Sequence, residues 1–183
     1  MQRQMKIGWA LAVIGMLYAG SAHTDQHNGY GNGHDAGQLA INAGLTYGFD
    51  VEEPGIRAGA TYYLNDAMRV GGDFTYWLVG DENFLGEKLS ATYWEANANF
   101  NYIFHQQNAI TVYAIGSAGL HRASVSMTIT GLGSFSDSDT EVGLGGGVGA
   151  EYSLGQLSIF AEPKLFLSGF DQLKFNMGIR YYL

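Results

Sequence analysis

From Gln38 to Leu183 apolar and polar side chains alternate with a period of two, in eight segments, and this constrains the fold first. Successive side chains of a strand point to opposite faces, so each segment has one apolar and one polar side. The expected strands are 38–49, 55–64, 67–79, 89–104, 109–121, 141–154, 157–167 and 172–183. In the first, Leu39, Ile41, Ala43, Leu45, Tyr47 and Phe49 share a face, opposite Gln38, Asn42, Thr46 and small residues. Each strand has roughly ten or more residues, the length a tilted strand needs to cross a bilayer. Short polar turns are expected after the second, fourth and sixth strands, at Asn65-Asp66, 105–108 and Gly155-Gln156. Longer polar loops are expected at 80–88 and 124–140.

Alternation alone fits a soluble β-sandwich, a lipocalin-like barrel or a membrane barrel. In the first two the apolar face packs inward; in a membrane barrel it meets lipid and the polar face lines the lumen. Charge and aromatic placement favour the membrane. Mid-strand apolar positions are almost free of charge. The opposite face carries Arg57, Arg69, Asp73, Glu95, Glu151, Glu162, Lys164, Lys174 and Arg180. Five basic and four acidic groups suit a packed polar interior with internal ion pairs. Aromatics on the apolar face gather near strand ends, with Tyr62, Tyr102, Phe104, Tyr152 and Tyr181 at one rim. Tyr47, Phe49, Tyr76 and Trp94 gather at the other, as in the two interfacial girdles of a membrane barrel. The fold class expected is all-β: an eight-stranded antiparallel up-and-down transmembrane β-barrel. Closure removes the unpaired edges that lipid does not tolerate.

The N-terminus is of another kind. Arg3 and Lys6 precede the apolar run 7–19, and Gly20-Ser21-Ala22 supplies small residues before His23. This is the pattern of a cleaved export signal, 1–22, and the run is too short for a spanning helix. Residues 23–37 are polar and rich in His, Gly and Asn, as in a flexible leader, and 38–183 form the barrel. Loss of Arg3 and Lys6 takes the formal charge from −8 to −10. That acidity argues against a nucleic-acid partner. The absence of Cys removes disulfides, thiolate zinc sites and Cys nucleophiles.

Four motifs suggest chemistry. Gly145–Ala150 fits the dinucleotide fingerprint, but that motif needs a helix to follow, and here a strand runs through it. These glycines are expected to face the lumen and leave room for Trp77, Tyr113, Phe160 and Phe166. His23, His27 and His34 with Asp25 and Asp35 are candidate ligands for a divalent metal, at a spacing that matches no sharp site. His121 and Ser124 invite a hydrolase reading, yet no nucleophile elbow is present. No catalytic residue and no cofactor are therefore assigned. Finally, Val125, Met127 and Ile129 alternate out of phase with the strand before them. A β-bulge near His121-Arg122 would shift the phase, and an exposed hairpin for a surface ligand competes there with a plain hydrophilic loop.

The terminal LKFNMGIRYYL, residues 173–183, resembles the last strand of bacterial outer-membrane barrels, with Leu183 where Phe is usual. With the export signal, eight strands and FAEPKL at 160–165, the chain from Gln38 to Leu183 resembles the small OmpA/OmpX-like family. The resemblance implies a Gram-negative outer membrane, both barrel termini on the periplasmic side, and contact with membrane lipid and lipopolysaccharide. It also implies reading of the last strand by the barrel-assembly machinery. The expected role is structural or surface-interacting, with the lumen filled by polar and charged side chains. A narrow ion or solute pore is the alternative, a lipid-modifying enzyme ranks third, and oligomeric state stays open.

Overall fold

The computed structural model describes residues 36–80, 82–84, 87–129, 133–168 and 171–183, with the backbone alone at 82–84, 87–89, 127–129 and 133. Nine strands are described: β1 Leu39–Gly48, β2 Glu53–Asn65, β3 Met68–Trp77, β4 Glu82–Phe84, β5 Glu87–Gln107, β6 Ile110–Ile129, β7 Gly133–Ser153, β8 Leu157–Ser168 and β9 Gln172–Tyr182. All pairings are antiparallel, in the order β3-β2-β1-β9-β8-β7-β6-β5, and β3 also pairs β5. Eight strands thus close a ring, and β4 extends the line of β3 along the far end of β5.

Alternation places one set of side chains outside and the other in the lumen. Outward Leu45, Ile56, Phe74, Leu120, Ile159 and Ile179 are each about half exposed, although they are large and apolar. A continuous belt of this kind marks a surface that meets something other than water. Ten residues of β1, at about 3.3 Å each and tilted by about 40°, rise about 25 Å, the height of a membrane barrel's apolar band.

The two ends differ. Tight connections close one end. At Asn65 the side-chain oxygen accepts from the Ala67 N–H at 2.9 Å. Asn108 and Gly155 adopt positive φ in the other two turns, which suits these residue types. At the opposite end β5, β6 and β7 run on as a sheet beyond their neighbours. β7 pairs with β8 only from Leu144 onward, whereas its pairing with β6 reaches back to Gly133.

Several expectations are corrected. The polar turn expected at 105–108 is mostly strand, for β5 runs to Gln107, with a register shift between Ile103 and His105. Of the two readings of 124–140 the plain loop fails and the hairpin stands, paired from Arg122 opposite Thr140 to Ile129 opposite Gly133. No bulge occurs at His121-Arg122, where the pairing of β6 with both neighbours is continuous. Val125 therefore keeps the lumen-side parity of His121, and polar Ser124, Ser126, Ser136 and Ser138 take the outer face. The loop expected at 80–88 contains β4, and Glu53 and Pro54 open β2 instead of breaking the chain before it. Proline is tolerated there because it sits at the start of a strand.

Candidate functional site

The lumen concentrates the ionisable groups. Of the nine charged residues expected there, Arg57 and Asp73 are 7% exposed and the other seven 3% or less. Buried charge is costly unless paired, and here it is paired extensively.

Three layers stack along the axis. At the tight-turn end, Glu151 accepts from Arg69 Nη1 at 3.0 Å, and from Arg180 and Tyr182. Arg69 also donates to Tyr63 Oη at 2.6 Å, and its guanidinium lies 4.0 Å from the centre of the Tyr113 ring. With the Asn101 amide oriented by its neighbours, its oxygen accepts from Arg69 Nε at 3.0 Å. Tyr63, Tyr182, Ile103 and Ile115 pack around this layer as an apolar floor.

The central layer joins Arg57, Asp73, Glu162 and Lys164. Arg57 donates to Asp73 Oδ2 and to Glu162 Oε2, both at 3.0 Å. Lys164 Nζ lies 3.5 Å from Glu162 and 3.7 Å from Asp73, and donates to Asn99 Oδ1 at 3.0 Å. Tyr113 Oη donates to Glu162 Oε1 at 2.9 Å, and Arg180 Nη2 lies 3.5 Å from the same oxygen. The ladder of inward Asn97 and Asn99 on β5 supplies amides to Asp73.

Towards the extended end, Glu95 pairs with Lys174 and accepts from Tyr93 Oη at 3.0 Å and Trp77 Nε1 at 3.2 Å. Trp77 and Tyr93 stack with centroids 5.4 Å apart. His121 is fully buried, with Nε2 3.1 Å from Asn97 Oδ1 and its ring edge-on to Phe166.

Glycines make room for these groups. A Cβ on Gly149 would lie 2.7 Å from Tyr113 Oη, one on Gly145 2.9 Å from the Phe166 ring, and one on Gly48 2.8 Å from Trp77. The run 145–150 lies inside β7 with no helix after it, so a dinucleotide has no helix N-terminus to meet. His121 and Ser124 fall on opposite faces of β6, which separates the pair that suggested a hydrolase. Among the described residues no group of three His, Asp or Glu is placed to hold a metal. The candidate ligands His23, Asp25, His27, His34 and Asp35, and the export signal, lie outside the described residues.

On the outer face Tyr62, Tyr102, Phe104, Tyr152 and Tyr181 lie at the tight-turn end, where Tyr62 pairs with Leu39, Tyr152 with Ile110 and Tyr181 with Ile41. Tyr47, Phe49, Tyr76 and Trp94 lie at the other, where Tyr76 pairs with Trp94 and Tyr47 with Pro54. All but the half-buried Trp94 are at least 40% exposed. Phe74 and Trp94 stack at 5.8 Å. Sequence reasoning did not find His121, Tyr63, Tyr182 or the Asn97–Asn101 ladder as network members. Their inward parity was legible, but the partner strands facing them across the lumen were not.

A closed antiparallel ring with an apolar exterior, a charged interior and aromatics at both rims defines a transmembrane β-barrel protein. The sequence comparison agrees: residues 9–182 match the outer membrane protein beta-barrel domain family, and the chain belongs to it. Solved structures of small outer-membrane barrels share the fold. Ail, the attachment invasion locus protein of Yersinia pestis, is 17% identical, with a TM-score of 0.59 over 81% of this chain and 99% of that one. The N-terminal barrel of Pseudomonas aeruginosa OprF is 14% identical, with a TM-score of 0.57 over 82% of this chain and 100% of that one. Neisserial surface protein A is 18% identical, with a TM-score of 0.54 over 79% and 94%. Comparison with curated proteins gives no match.

Proposed function

We propose that this protein is a non-catalytic outer-membrane scaffold with a lumen closed to ions, which presents the β5–β6–β7 sheet to partners outside the cell. Residues 1–22 direct export, the last strand is read by the assembly machinery, and the aromatic rims meet lipid headgroups and lipopolysaccharide. The observation that carries closure is the burial of all nine lumen charges, held by mutual ion pairs across the barrel. An eight-stranded barrel is just wide enough for side chains to fill. A conducting pore would need those charges hydrated. Conductance in a planar bilayer tests this: a folded, inserted barrel stays silent, and discrete reproducible openings refute closure in favour of the narrow-pore reading.

The short turns face the periplasm and the extended sheet faces out, the arrangement common in this class. Charge then distinguishes the partner. Among residues with described side chains, the outer end carries Asp50, Glu52, Glu53, Asp137, Asp139, Glu141 and Asp171, against Arg122. Ail has been solved with the heparin analogue sucrose octasulfate, a polyanion. The end of this barrel suits a cationic or neutral surface instead. Binding of intact cells to immobilised heparin and to a polylysine-coated surface separates the two, and retention on heparin alone would refute the charge argument.

A further inference from the structure

The buried charges do not balance. Lys174 and Glu95 form one pair near the outer mouth. In the two layers below, four cations, Arg57, Arg69, Lys164 and Arg180, share three carboxylates, Asp73, Glu151 and Glu162. All seven are at most 7% exposed. One positive charge in excess, in a low-dielectric interior, is unfavourable unless a counter-charge is held beside it. The other carboxylates of lumen-side parity with described side chains are half-buried, Glu53 and Glu141, or exposed, Asp137 and Asp139, so water and salt screen them.

The excess coincides with a cavity. A space of about 10 Å³ lies between β1, β2 and the central layer, lined by Arg57, Lys164, Arg180, Glu162, Asn42 and Asn99, among others. That volume admits one guest of about water size. Arg57 Nε and Arg180 Nε are buried and find no acceptor among the described residues; Asn42 Oδ1, of a residue on the same wall, finds no donor, and a turn of that amide would exchange it for an N–H. Glu162, the carboxylate on the wall, directs one oxygen to Arg57 and the other to Tyr113 and Arg180, so its charge is already answered.

We propose that this cavity is a binding site for one small monovalent anion of halide size, held by Arg57, Arg180 and Lys164. Water would serve the unpartnered donors and leave the excess charge. An anion serves both, and the volume excludes sulfate, phosphate and carboxylate ligands. The site goes beyond the scaffold reading and does not depend on it, since conductance tests the scaffold and anion-linked stability tests the site.

The test is thermal unfolding of the full chain, refolded in detergent, in sodium bromide and in sodium gluconate at matched ionic strength. The melting temperature is expected to rise with the logarithm of bromide concentration, as for any ligand that binds only the folded state, and to stay flat in gluconate. Asn42→Asp puts a carboxylate on the cavity wall and is expected to remove the bromide dependence. Lys164→Met, which removes the excess cation, should do the same if Asn42→Asp does not fold. Crystals grown in bromide should show one anomalous peak between Arg57 and Arg180. Equal melting in both salts overturns the proposal and leaves water as the guest. Bromide dependence that survives in both variants overturns it too, as a general salt effect.

Discussion

Removing the Glu162 side chain tests whether the lumen network holds the barrel together. Its carboxylate meets Arg57 at 3.0 Å, Tyr113 Oη at 2.9 Å, and Lys164 and Arg180 at 3.5 Å, and the side chain is 2% exposed. Glu162→Ala leaves three cations sharing one fewer acceptor in a site that water does not reach freely. Breaking a buried pair from one side typically costs about 3–5 kcal/mol. With a urea dependence of about 2 kcal/mol per M, the unfolding midpoint should fall by roughly 2 M. The assay is urea unfolding of the barrel inserted in vesicles, followed by the fluorescence of Trp77, buried in the lumen, and Trp94, on the outer rim. Glu162→Gln keeps the volume and loses the charge, so it should retain most of the defect and exclude a cavity as the cause. Asp171→Ala, at an exposed carboxylate, is the control and should stay within about 0.5 kcal/mol. In a double-mutant cycle with Arg57→Met, the paired change should cost less than the sum of the single ones. An Glu162→Ala midpoint within about 0.3 M of the parent would refute the network, since surface substitutions alone reach that size.

Two further substitutions test the faces. Leu45→Arg, at an outward position 58% exposed on β1, should cost about 2–4 kcal/mol in vesicles if that face meets lipid. Val125→Arg, 45% exposed but on the extended hairpin, should be nearly neutral in the same urea titration; equal effects would place both in one solvent. Gly149→Ala should destabilise by about 1–3 kcal/mol, because the Tyr113 ring must move off its Arg69 stack, and an unchanged midpoint would show that the ring has slack.

Strands, faces and closure were legible because the membrane enforces them. Leu45, Phe74 and Ile179 are apolar since lipid is outside, and Arg57, Glu95 and Glu162 point inward since lipid excludes charge. The pairs were not legible. Arg57 and Glu162 are 105 residues apart and meet across the lumen, which depends on how the sheet staggers as it closes. The phase of the hairpin at 122–140 was misread as a bulge for a related reason. β propensity reflects what a strand's two faces touch, so a strand in water has no reason to show an apolar outer face. Ser124, Ser126, Ser136 and Ser138 face outward there, and the apolar residues Val125 and Phe135 keep the inner parity. What looked like a phase slip at His121-Arg122 is an unbroken strand whose surroundings change. The apparent shift in the sequence therefore records where β6 leaves the bilayer, close to Arg122 opposite the rim residue Trp94.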